Sequence, residues 1–172
     1  MVESNSFICY DLSQLEGGLH ELMRRAGVKL KKVSAFLISP PCETYSVADS
    51  TNISRGFQFR DHSTADRPPR SLESCTEAHH FEKRRTAIAH DQMVEALIRV
   101  LMHHRKEHKF EIVLENPVGS LTHRPFMQDI EWISQTTKHT VNYCAYGATY
   151  KKPTHIWTTM TDWQPKGVTG SG

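Results

Sequence analysis

The sequence predicts an α/β domain with a mainly parallel sheet that finishes in an antiparallel strand pair. Three observations lead there. Strand-length apolar runs at Val33–Ser39 and Phe110–Leu114 are separated by a helical pattern, the order that builds parallel pairs through crossovers. The last two strand candidates, His139–Tyr143 and Thr154–Thr158, stand about ten residues apart with Gly147 between them, too short a link for a helical crossover. At 172 residues the chain suits one domain with its own core.

Each element follows from its local pattern. Phe7–Tyr10 is a short strand candidate. Leu15–Ala26 reads as a helix, with Leu15, Leu19, Leu22 and Met23 on one face and Gly27 as its stop. The Val33–Ser39 strand ends at Pro40-Pro41, where the lack of an N–H and the fixed φ halt the ladder. Residues 49–75 turn polar, with Pro68-Pro69 and almost no apolar periodicity; a loop of that length is functional or disordered. Thr86–His104 is the clearest helix, because Met93, Leu97, Val100 and Leu101 share a face beside Val94 and Ile98. Pro125–Ile133 is a short helix candidate. The domain is expected over residues 1–165 and a flexible tail over 166–172.

Composition narrows the function classes. Lys and Arg total 21 against 19 Asp and Glu, but the cations cluster: at Arg24, Arg25, Lys29, Lys31 and Lys32; at Lys83–Arg85; at Arg105, Lys106 and Lys109; and at Lys151-Lys152. Such runs suit a polyanion or are solvated helix faces. The start Met1–Ser6 is polar and unlike a secretory leader, and no apolar stretch approaches membrane-spanning length. The four cysteines have no short paired spacing, so free thiols in a reducing compartment are expected: nuclear or cytoplasmic, or the nucleoid of a bacterium or phage. Eleven histidines raise the question of a metal, but there is no Cys-x-x-Cys, and none is expected.

The most informative residue is Cys42, in Ser39-Pro40-Pro41-Cys42-Glu43-Thr44-Tyr45-Ser46 at a strand's carboxyl end. That edge is where open α/β sheets bind ligands. Taken alone, Cys42 reads equally as a packing cysteine, since free Cys is among the most buried residue types. A second segment, Leu114-Glu115-Asn116-Pro117-Val118-Gly119, ends the other apolar strand. In a parallel sheet it brings Glu115 to the same edge as Cys42. A third, Tyr143-Cys144-Ala145-Tyr146-Gly147-Ala148-Thr149-Tyr150-Lys151-Lys152-Pro153-Thr154-His155-Ile156-Trp157, carries a lysine pair beside a strand.

On these three segments, in this order, the chain resembles the catalytic core of DNA methyltransferases that act on carbon 5 of cytosine. The likeness is to a divergent branch typical of large viruses and protists, and it covers roughly residues 7–165. It implies a partial S-adenosylmethionine-dependent, Rossmann-like sheet. In that chemistry a thiolate adds to carbon 6 and makes carbon 5 nucleophilic, the role that would fall to Cys42. A carboxyl at ring nitrogen 3 supplies a proton, the role of Glu115. The base must leave the stack to be reached. The resemblance further assigns Pro41, Ser46, Asn116, Lys151, Lys152 and Thr154 to the base and DNA, and Asp11 and Pro40 to the cofactor. It makes residues 49–75, with Arg55, Arg60, Arg67 and Arg70, a loop that closes over DNA.

The family's Gly-rich cofactor turn is not matched, since Gly17-Gly18 follows a polar stretch. By position Ile8-Cys9-Tyr10-Asp11 is similar to the family's third strand. The resemblance therefore implies a fragment, one subunit of a split enzyme completed by a partner, or a degenerate relative. Beside the enzyme reading stand a non-catalytic DNA-binding or regulatory protein, and a Cys-His hydrolase using Cys42 with His62 or His155.

Overall fold

The computed structural model describes residues 18–46, 59–61, 63–70 and 78–166. Its elements, in chain order, are α1 (Gly18–Ala26), β1 (Ala35–Ile38), α2 (Ala78–Arg105), β2 (Glu111–Pro117), α3 (Ile130–Gln135), β3 (Thr137–Asn142) and β4 (Pro153–Thr158), with short 3-10 turns between several of them. The strands form one four-stranded mixed sheet in the order β1-β2-β4-β3.

Local chemistry sets the boundaries. Gly27 ends α1 with φ +65°, a left-handed conformation that costs glycine least. Asp129 caps α3 by accepting from the Glu131 N–H. The expected 125–133 helix is thus two pieces, a 3-10 turn at Pro125–Met127 and then α3. Helix α2 starts well before Thr86, because its first turns are too charged to show an apolar stripe. At 28 residues it runs about 42 Å. That is nearly twice the length of β2, so its first turns project past the sheet.

The sheet differs from expectation in its balance. β1 and β2 pair parallel through α2, with Ile38 opposite Leu114. β3 and β4 pair antiparallel, as the short link between them requires. β4 also inserts antiparallel beside β2. One of the three described pairings is therefore parallel, and the sheet is mixed rather than mainly parallel. The Phe7–Tyr10 strand candidate and Asp11 lie outside the described residues.

One face of the sheet carries the core. β2 alternates strictly, with Ile112, Leu114 and Asn116 buried between half-buried neighbours. Its buried face packs with Ile38 and Trp157 against Val94, Ile98 and Leu101 of α2, while α1 adds Leu19 and Met23. Each such side chain, fully buried, contributes about 1.5–3 kcal/mol. Trp132 and Trp157 are both core residues. The opposite face is more open: Leu37 is 67% exposed, and Val113 and Glu115 are half-buried. Among the described residues no helix is long and apolar enough to cross a membrane.

Candidate active site

The register brings two sequence motifs together. With Ile38 opposite Leu114, the next residues, Ser39 and Glu115, are neighbours across the parallel pair. The Ser39 hydroxyl donates to Glu115 Oε2 at 2.6 Å. From the other side the Tyr143 hydroxyl, just past β3, donates to Oε1 at 2.7 Å. Both carboxyl oxygens are thus held. Because strand residues alternate, Glu115 stands on the open face and not under α2. Burial first, and then Glu115 itself, push the Tyr143 hydroxyl above its ordinary value, which keeps it a donor. Lys152 places its ammonium 5.5 Å from the centre of the Tyr143 ring.

Cys42 opens a tight turn. Its carbonyl accepts from the N–H groups of Tyr45 (3.1 Å) and Ser46 (2.9 Å), and its thiol is exposed. The two residues after Glu43 do the opposite: Thr44 and Tyr45 are wholly buried. The Tyr45 hydroxyl donates to Asp91 Oδ1 at 2.9 Å. Arg60, also wholly buried, donates to both oxygens of Asp91 (2.7 and 3.1 Å) and to the Thr44 carbonyl (2.6 Å), and stacks its guanidinium 4.3 Å from the Tyr45 ring centre. Arg124 Nε lies 2.9 Å from Asp91 Oδ2, an ionic contact without the alignment of a hydrogen bond. Burial, more than any other influence, raises the Tyr45 hydroxyl far above its ordinary value, so it stays protonated. The cysteine thus sits on a rigid pedestal built by residues from three distant parts of the chain.

His90 faces the same turn. Its Nδ1 is 3.1 Å from the Thr44 hydroxyl, and its Nε2 is 3.9 Å from Glu43. Burial is the main influence lowering its pKa, against Glu43, which raises it. His155 is elsewhere. It lies on β4, two strands from β1, with its ring against Trp157 and its Nδ1 3.1 Å from the Thr140 hydroxyl. It therefore does not serve Cys42, and His62 lies outside the described residues.

The other anticipated residues divide by place. Pro41 and Lys151 are exposed at the site's rim, and Lys152 is half-buried beside Tyr143. Asn116 is wholly buried; its Nδ2 donates to the Pro40 carbonyl at 3.2 Å and stitches the two strand ends together. Pro40 is buried under that bond. Thr154 is wholly buried too, and its hydroxyl donates to the Lys152 carbonyl at 3.3 Å. Ser46 bridges to Gly119, where any Cβ would overlap the Tyr45 carbonyl, so only glycine lets the two strand-end loops approach so closely.

One correction concerns the loop. Arg60 was expected to face DNA and is instead the buried partner of Asp91. Its neighbourhood is an ordered hairpin in which Arg60 bridges to Pro69. Arg55 lies outside the described residues. Ser39 and Tyr143 hold Glu115, and the Asp91 cluster holds the Cys42 turn, contacts that sequence reasoning did not anticipate. Asp91 had a signal: it interrupts the stripe Ala87, Val94, Ile98, Leu101, and a charge at a core position needs a buried partner. Among the described residues no group of three or more His, Cys, Asp or Glu could hold a metal ion. No family model, no curated protein and no solved structure matches this chain, so the functional reading stands on this geometry and on the three motifs.

Proposed function

We propose that this chain is the base-attacking part of a DNA (cytosine-5) methyltransferase, built on a partial Rossmann-like sheet, with Cys42 as nucleophile and Glu115 as proton donor. The observation that carries the reading is the pairing of an exposed thiol on a fixed turn with a carboxyl clamped by two hydroxyls at the adjacent strand end.

The chemistry uses both groups at once. The Cys42 thiol loses its proton to solvent and its sulfur bonds to carbon 6 of an extruded cytosine. The carbon 5–carbon 6 π pair moves into a carbon 4–carbon 5 bond and the carbon 4–nitrogen 3 π pair moves onto nitrogen 3, which takes a proton from the Glu115 carboxyl. The product is a covalent enamine, nucleophilic at carbon 5. Positioned proton donors of this kind contribute about 10²–10⁴-fold. Ser39 must yield its place on Oε2 for the base to reach the carboxyl, while Tyr143 keeps Oε1 in position.

Enzymes of this kind take the methyl group from S-adenosylmethionine. The described residues do not by themselves fit that group. Pro40 is buried with its carbonyl engaged by Asn116, and Asp11 is outside the described residues. The second reading, a methyltransferase-like protein that binds DNA without reacting, rests on the unmatched Gly-rich turn in the sequence.

The test needs no methyl donor. A duplex with 2-pyrimidinone in place of one cytosine adds thiols readily and accumulates the adduct. The full chain is expected to form a complex stable to denaturing gels, and Cys42→Ser to form none. Adduct formation that persists in Cys42→Ser removes Cys42 from the role. Binding without any adduct supports the second reading.

A further inference from the structure

The basic runs nearest the two parallel strands do not face the site. Lys29, Lys31 and Lys32 lie just before β1, and Lys106 and Lys109 just before β2. Parallel pairing puts both runs at the amino ends of these strands, with the Glu111 N–H bonded to the Ser34 carbonyl at 2.9 Å. Cys42 and Glu115 are at the carboxyl ends. From Lys109 to Glu115 is six residues of largely extended chain, about 20 Å. The first turn of α1 joins this pole, since His20 meets His104 with ring centres 5.2 Å apart. His103 and His108 flank His104 at 5.3 and 6.4 Å.

The charge gathered there is out of proportion to the chain. Residues 20–34 and 103–111 hold eight Lys or Arg against Glu21, Glu107 and Glu111, a net of +5 in a chain of net +2, which leaves −3 for all the rest. Part of it is internally neutralised. Glu21 is held by Arg24 and Arg25, Arg105 faces Glu111 at 3.4 Å, and Lys106 pairs with Glu131 at 2.9 Å. Lys29, Lys31, Lys32 and Lys109 are exposed and make no ion pair among the described residues.

We infer that this pole is a second nucleic-acid contact, in which Lys29, Lys31, Lys32 and Lys109 hold the phosphate backbone of duplex DNA on the side opposite Cys42. The composition favours phosphate over an acidic protein. None of the exposed large hydrophobic residues lies in these two segments, whereas protein interfaces rely on aromatic and apolar anchors and are depleted in lysine. Lysines as point charges, without bases to read, suit counterion release from a duplex. The inference does not depend on the chemistry proposed for Cys42.

The test is the salt dependence of binding by the full chain to a labelled duplex of A·T pairs alone, which offers no cytosine. The combined variant Lys29→Gln, Lys31→Gln, Lys32→Gln, Lys109→Gln removes only unpaired surface charge. Its slope of log K against log salt is expected to be shallower by about 3–4 than that of the unaltered chain, at about 0.9 per phosphate contact. Its affinity near 0.1 M salt should fall at least about tenfold. The control Arg85→Gln, Arg99→Gln, Lys138→Gln, Lys166→Gln removes the same charge elsewhere and should change the slope much less. An unchanged slope in the first variant overturns the inference, as does an equal change in the control. A loss confined to polyglutamate binding would make the pole a site for acidic protein instead. Trapping by 2-pyrimidinone reads Cys42 separately, so the two readings fail independently.

Discussion

The two strand ends that meet at the site are built in opposite ways. The Cys42 turn is fixed from below by a buried ionic cluster: the Tyr45 hydroxyl and the guanidinium groups of Arg60 and Arg124 converge on Asp91. Glu115 is fixed from the sides by neutral hydroxyls at a half-buried position. A buried ionic cluster has one arrangement and a high cost of disruption. Hydroxyl donors are exchangeable: each can be displaced by a substrate for a modest cost. The contrast separates a part whose job is to stay still from a part whose job is to change partners.

Several substitutions test that division, in order of expected effect. Glu115→Gln keeps the shape but removes the transferable proton. Adduct formation should slow by about 10²–10⁴-fold, with melting temperature nearly unchanged; an equal loss of stability would make Glu115 a structural residue instead. Asp91→Ala strands two buried guanidinium groups. Removing one partner of a buried ion pair costs about 3–5 kcal/mol, so thermal unfolding should begin roughly 10 °C lower, with Asp91→Asn falling between. Gly119→Ala pushes a methyl into the Tyr45 carbonyl and should cost about 1–3 kcal/mol as overpacking, read by denaturant unfolding. Tyr143→Phe removes one donor from Glu115. It should cost under about 1.5 kcal/mol of stability while slowing adduct formation several-fold, and a rate equal to that of the unaltered chain would show that Oε1 needs no holder.

Acid should loosen the molecule through a third place. Burial, and then Lys138 and His123, hold the His155 pKa down to about 4. The unfolded chain takes this proton near pH 6.5, so below that pH protons favour unfolding. The contribution is complete above pH 6.5 and is lost as pH falls toward 4. Melting temperature followed from pH 7.5 to 4 should fall, and His155→Gln should flatten the fall.

Much of the site's edge was legible in the sequence, because an apolar run followed by Pro-Pro must stop, and two parallel strands share a carboxyl edge. The antiparallel β3–β4 pair was legible from link length. The place of β4 beside β2 was not, since nothing local says which free edge a hairpin will join, and this made the sheet mixed. The clamp on Glu115 was hidden because Ser39 and Tyr143 reach it only through register and strand order. Arg60 was misread because a loop without periodicity gives no sign of which way a side chain points. Asp91 in an apolar stripe was the one visible clue to the pedestal.

The central claim is that Cys42, not merely some thiol, attacks the base. Cys144 is also free and exposed, and so provides an internal rival. Peptide mapping of the 2-pyrimidinone adduct by tandem mass spectrometry decides between them. The account predicts the pyrimidine on the peptide containing Cys42 and none on Cys144; modification of Cys144 with Cys42 left free would contradict it.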